Sequence, residues 1–118
     1  MGRLSTHVLD TYAGHPADGV TIDLGRITPQ GDFQLIKTVK TNSDGRTDAP
    51  MLQGADYQPG TYELRFHIGD YFRANKIALP EPAFLDIVPL RFGMSEPDGH
   101  YHVPLLASPW SYSTYRGS

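Results

Sequence analysis

Apolar and polar residues alternate along short stretches of this chain, and turn-forming residues separate the stretches. In TYELRFHI, Tyr62, Leu64, Phe66 and Ile68 alternate with Thr61, Glu63, Arg65 and His67. A period of two puts the first set on a buried strand face and the second on a wet one. VTIDL repeats the pattern with Val20, Ile22 and Leu24 inward. FQLIKTVKT and DIVPLRF are less regular. Pro89 in the latter predicts an edge strand or a bulge, because proline cannot donate to a central ladder. GDYFRANKIAL, residues 69–79, predicts a helix following directly on a strand. Turn signals fall in AGHPADG (13–19), TPQGD (28–32), NSDGR (42–46), YQPG (57–60), EPDG (96–99) and ASP (107–109). Proline presets φ there, glycine accepts positive φ, and Asn or Asp bonds its own backbone. Many short strands at this spacing predict an all-β fold, a β-sandwich with one short helix.

Length and composition narrow this picture. A chain of 118 residues is long enough for one core, so a single domain spanning 1–118 is expected. Apolar residues make up 39% and charged residues 19%, as in ordinary globular chains. The formal charge is −3, and the basic residues are scattered, which leaves no electrostatic footprint for a nucleic-acid partner. The absence of cysteine excludes disulfides, thiolate metal ligands and a Cys nucleophile, and is compatible with a cytoplasmic protein. No apolar run approaches the roughly 20 residues of a membrane helix, and MGRLSTHVLD lacks the apolar stretch of a secretory leader. Gly2 and Thr6 fit a loose myristoylation pattern, but the same residues read better as the entry to a strand.

The candidate chemistry lies with five histidines. His15 sits in a turn and His67 on the polar face of its strand, so both read as solvated. His7 shares a strand face with Ser5 and Leu9, and His100 shares one with His102, Pro104 and Leu106. An H-x-H pair on a strand is a possible zinc motif, but no third histidine or carboxylate completes it locally. A metal-free site with an imidazole as general base uses the same residues. Arg46 follows a Ser-Asp-Gly turn and Arg116 lies near the chain end; neither is distinctive alone. There is no G-x-S-x-G nucleophile elbow and no glycine-rich phosphate loop. The last two strands, HYHVPLL and WSYSTY, carry few edge charges, which predicts an oligomer that uses its edges or faces.

HVLDTYAGHPADGVTI (7–22) and HYHVPLLASPWSYSTYRGS (100–118) resemble the two terminal signatures of the transthyretin family, so the resemblance covers essentially the whole chain. The ending Tyr115-Arg116-Gly117-Ser118 resembles that of the family's enzymes acting on 5-hydroxyisourate, whereas the hormone carriers lack it. The resemblance implies a transthyretin-like sandwich of two four-stranded sheets, assembled as a homotetramer (a dimer of dimers) with active sites in its central channel. It implies His7, Arg46 and His102 as catalytic residues, with His100 only a neighbour. Substrate binding falls to His7, Arg46, Tyr115, Arg116, Gly117 and Ser118. The implied reaction is metal-free and cofactor-free opening of a cyclic amide in a small molecule, 5-hydroxyisourate, during urate degradation in purine catabolism. Its product is 2-oxo-4-hydroxy-4-carboxy-5-ureidoimidazoline. A transthyretin-like carrier of small aromatic ligands in the same channel is the alternative. Ala107, where a larger aliphatic is usual, and Trp110 depart mildly from the pattern and touch no catalytic position.

Overall fold

The computed structural model describes residues 1–117. In chain order the strands are β1 (Arg3–Asp10), β2 (His15–Pro16), β3 (Thr21–Ile27), β4 (Phe33–Lys40), β5 (Leu52–Gln53), β6 (Gly60–His67), β7 (Ile87–Met94), β8 (His100–Ala107) and β9 (Tyr112–Thr114). A 3-10 turn (Gly54–Asp56) precedes β6, and the helix α1 (Ile68–Ala74) follows it. One sheet has the order β2-β1-β8-β9, with β5 also paired to β1; the other has the order β4-β3-β6-β7. The first sheet has five strands rather than four because His15 and Pro16 fold back to pair with Asp10 and Leu9.

The alternating patterns become the core. Val20, Ile22 and Leu24 are buried, as are Tyr62, Leu64, Phe66 and Ile68, and Leu4, Val8, Val103 and Leu105 face them from the other sheet. Each fully buried Leu or Phe contributes about 1.5–3 kcal/mol relative to exposure. Pro89 lies on β7, whose ladder partner is β6 and which ends the sheet, as an edge strand should. Three expectations are corrected. Glu63, on the wet face by alternation, is only 5% exposed, because Arg65 and Arg91 both donate to its carboxylate at 2.7 and 3.1 Å. Burial pushes its pKa up, but the two arginines outweigh this and hold it below the usual value. His67 does not simply face solvent: it bonds the Asp23 carboxylate at 2.8 Å. The helix stops at Ala74 rather than Leu79 because Lys76 takes φ 66° and the Ile77 amide turns back to the Phe72 carbonyl at 3.0 Å. This left-handed stop lets Ile77 and Leu79 pack on the core instead of continuing the helix.

The pairing that matters most for function is β1 with β8. It is parallel and in register from Arg3↔His100 to Asp10↔Ala107. A parallel pair needs a long crossover, and here nearly the whole chain supplies it. The first and penultimate strands therefore lie side by side at the centre of their sheet.

Candidate active site

Alternation along β1 and β8 turns Leu4, Thr6, Val8, Tyr101, Val103 and Leu105 inward and leaves Ser5, His7, His100 and His102 on the opposite face. The parallel register sets Ser5 directly across from His102. The Ser5 Oγ lies 2.8 Å from His102 Nδ1, a contact between residues 97 apart in sequence. The His7 and His102 rings are 6.4 Å apart, centroid to centroid, and tilted by 40°.

Arg46 arrives through the NSDGR turn. Asn42 Oδ1 accepts from the Asp44 and Arg46 amides at 2.9 and 3.2 Å, which closes the turn with one side chain. Gly45 takes φ 75°, and a Cβ there would collide with the Val8 carbonyl oxygen, so glycine is required by both conformation and space. The Gly45 carbonyl accepts from the Val8 amide at 2.8 Å, and Arg46 forms a β-bridge with His7. The same turn fixes the His7 ring: Nε2 lies 2.8 Å from the Asp44 carbonyl. A carbonyl can only accept, so Nε2 of His7 carries the hydrogen, and in the neutral ring Nδ1 is the lone-pair nitrogen.

The chain end returns to the same strand. The Gly117 amide donates to the His102 carbonyl at 2.7 Å, in a second isolated bridge. Arg3, Ser5, Arg46, His100, Tyr101 and His102 line a cleft of about 330 Å³ beside His7. Burial first, then the positive charge of Arg46, then His7 lower the pKa of His102 below the ordinary imidazole value of 6.5. These causes favour the neutral His102 ring, which can accept a proton.

The chain thus brings His7, Arg46, His102 and Gly117 together. His100 is exposed and reaches the Met1 carbonyl at 3.2 Å. Among the described residues no three His, Asp or Glu side chains are grouped to hold a metal ion. Tyr115 and Arg116 line a neighbouring groove of about 310 Å³ with Leu90, Phe92, Val103 and Thr114. Arg116 donates to Glu96 at 2.9 Å and stacks on the Tyr101 ring at 4.1 Å, so within one chain it does not join the histidines. Ser118 lies outside the described residues. Sequence reasoning missed Arg3 and the partnership of Ser5 with His102; Ser5 shares the His7 face by alternation, but nothing local identifies its partner.

A two-layer sandwich of this topology is a transthyretin-like β-sandwich, here with a polar cleft beside paired histidines and a turn arginine. The chain belongs to the HIUase/Transthyretin family, whose model matches residues 4–117. It is 63% identical to 5-hydroxyisourate hydrolase 2 of Rhizobium meliloti, over 99% of this chain and 97% of that protein. The solved structure of Klebsiella pneumoniae 5-hydroxyisourate hydrolase is 33% identical, with a TM-score of 0.82 over the full length of both chains. The crystal structure of (S)-allantoin synthase is 48% identical with a TM-score of 0.93; the match covers 99% of this chain and 44% of that one.

Proposed function

We propose that the protein hydrolyses 5-hydroxyisourate, a cyclic amide formed by urate oxidation, and so acts in urate degradation. The observation that carries this reading is the juxtaposition of His7 with Arg46 and His102 beside one polar cleft, where burial and Arg46 favour the neutral His102 ring, in a chain 63% identical to a hydrolase of that name. A carrier of aromatic ligands would give this set of groups no work.

The chemistry is acyl transfer to water. Ser5 accepts a hydrogen bond from His102 Nδ1–H, which leaves the Nε2 lone pair to take a proton from the attacking water. The water oxygen bonds to the lactam carbonyl carbon, and the carbonyl oxygen becomes an oxyanion that the Arg46 guanidinium stabilises with forked hydrogen bonds. The C–N bond then breaks, the departing ring nitrogen takes the proton from His102, and the new carboxyl group ionises. His7, held through Nε2–H by the Asp44 carbonyl, offers Nδ1 to a ring N–H of the substrate and fixes its orientation. Base catalysis of this kind typically contributes about 10²–10⁴-fold, and one oxyanion donor about 10²–10³-fold. No step calls for a metal or cofactor.

Gly117, bonded to the His102 carbonyl, stands beside the pocket, and in the proposed assembly Tyr115 narrows the channel where a second copy approaches. The assembly we propose is a homotetramer, a dimer of dimers. Support comes from the β9 edge, where Tyr112 is 44% exposed, from Tyr115 just beyond it at 61%, and from Trp110 at 55% in the preceding loop. Light scattering tests it, and a monomer at working concentration rejects it. Among the described residues no helix is long and apolar enough to cross a membrane. We place the enzyme in the cytoplasm, alongside the oxidation that produces its short-lived substrate.

The test of function mixes the purified protein with urate and urate oxidase and follows the absorbance of the transient. Faster decay, lost when His102→Asn is used, is the expected result. Decay no faster than without the protein overturns the reading.

A further inference from the structure

Arg116 is implied in substrate binding by resemblance, yet its guanidinium is engaged elsewhere. It donates to Glu96 Oε2 at 2.9 Å and lies over the Tyr101 ring at 4.1 Å. Glu96 is itself held. The Tyr101 hydroxyl donates to the same Oε2 at 3.1 Å and accepts from the Ser95 and Glu96 amides at 3.0 and 3.1 Å. The Tyr57 hydroxyl donates to the Glu96 carbonyl at 2.8 Å. Both tyrosine rings are buried in the core. Gly99 completes the loop by close approach: a Cβ there would lie 2.7 Å from the Tyr101 ring and 2.9 Å from the Glu96 Cβ. The loop between β7 and β8 is therefore a fixed post, and one residue beyond Arg116 the Gly117 amide bonds the His102 carbonyl.

We propose that Glu96 is a positioning residue for the reaction, anchoring Arg116 in a clip with Tyr101 that holds Gly117 against His102. The clip acts through the backbone: fixing the Arg116 side chain restrains the residue that follows it, whose amide bonds His102. The Arg116 hydrogen bond first, and then that of Tyr101, lower the Glu96 pKa, so the carboxylate stays ionised across the neutral range. This inference rests on the hydrolase reading and changes the role of Arg116 within it, from a ligand of the substrate to a tether of Gly117.

The deciding variant is Glu96→Gln, which keeps shape and removes charge at an exposed position. The first readout is hydrogen exchange of the Gly117 amide by nuclear magnetic resonance, made without substrate. Losing an exposed ion pair should speed its exchange about fivefold, while the Leu105 amide in the core is unchanged. The second is kinetic: KM should rise and kcat/KM fall by a similar factor, with Glu96→Asp recovering part of the loss. If Arg116 instead gripped the substrate, freeing it from Glu96 would lower KM or leave it unaltered. Unchanged Gly117 exchange in Glu96→Gln, or an unchanged or lowered KM, overturns the proposal. Because exchange is read on the free protein, its outcome stands whatever the wild-type protein proves to hydrolyse.

Discussion

Gly117 faces His102 so closely that one methyl group should disable the site without disturbing the sandwich. A Cβ at Gly117 would lie 2.7 Å from His102 Cδ2 and 3.3 Å from its Cβ and Cγ. Carbon atoms rest at roughly 3.5–4.0 Å, so alanine forces the two apart by about 1 Å. The ring cannot easily give, because Ser5 holds Nδ1 and the Cβ belongs to a strand paired along its length with β1. The chain end must move instead, and the bond from the Gly117 amide to the His102 carbonyl is lost. Misplacement by about 1 Å in a site of this kind costs up to about 10²-fold in rate. Gly117→Ala should therefore lower kcat/KM in the coupled urate oxidase assay by one to two decades. The expected change in the urea midpoint is small, because losing one terminal hydrogen bond costs only about 1 kcal/mol. Activity within about twofold of wild type, a change far below that rate cost, would refute the reasoning.

Further outcomes follow from the same geometry. Ser5→Ala removes the partner of His102 Nδ1 and should lower kcat about tenfold with little effect on KM, since the ring loses orientation rather than the substrate its contacts; a change confined to KM would place Ser5 in binding instead. The acid limb of kcat/KM should inflect below the ordinary imidazole value of 6.5, because burial, Arg46 and His7 all disfavour the protonated ring in the folded protein. The unfolded chain takes up that proton at higher pH than the folded one, so stability contributed by His102 is present above 6.5 and lost as pH falls through the folded value. Arg46→Met removes one of the three causes and should move the acid limb up toward 6.5 while lowering the rate; an unshifted limb would separate Arg46 from His102.

Much of this molecule is legible without coordinates. Alternation in TYELRFHI and VTIDL placed Tyr62, Leu64, Phe66, Ile22 and Leu24 in the core, and Pro89 marked an edge. Both are local effects, since strand period and the missing proline donor depend only on neighbouring residues. Read locally, NSDGR gave only a turn; it was the resemblance to the family that implied roles for His7, Arg46 and His102, which the structure brings close together. Where local reasoning failed, a distant partner had intervened. Glu63 is buried because Arg65 on its own strand and Arg91 directly across on β7 both neutralise it, and the cross-strand partner is what alternation along a single strand cannot show. The helix was overextended because Ile77 and Leu79 look helical in sequence but pack on a core that only the fold supplies.

The site divides along the same line. Sequence by itself determined which residue types are present, which strand faces they occupy and which family signatures they form. Only tertiary structure decided that β1 and β8 pair in parallel, so that Ser5 meets His102, and that Arg116 turns toward Glu96 while Gly117 returns to His102. The physical reason is range. Periodicity and turn chemistry act over a few residues, whereas the bond that orients His102 joins residues 97 apart, and its partner is chosen by the packing of the whole sandwich.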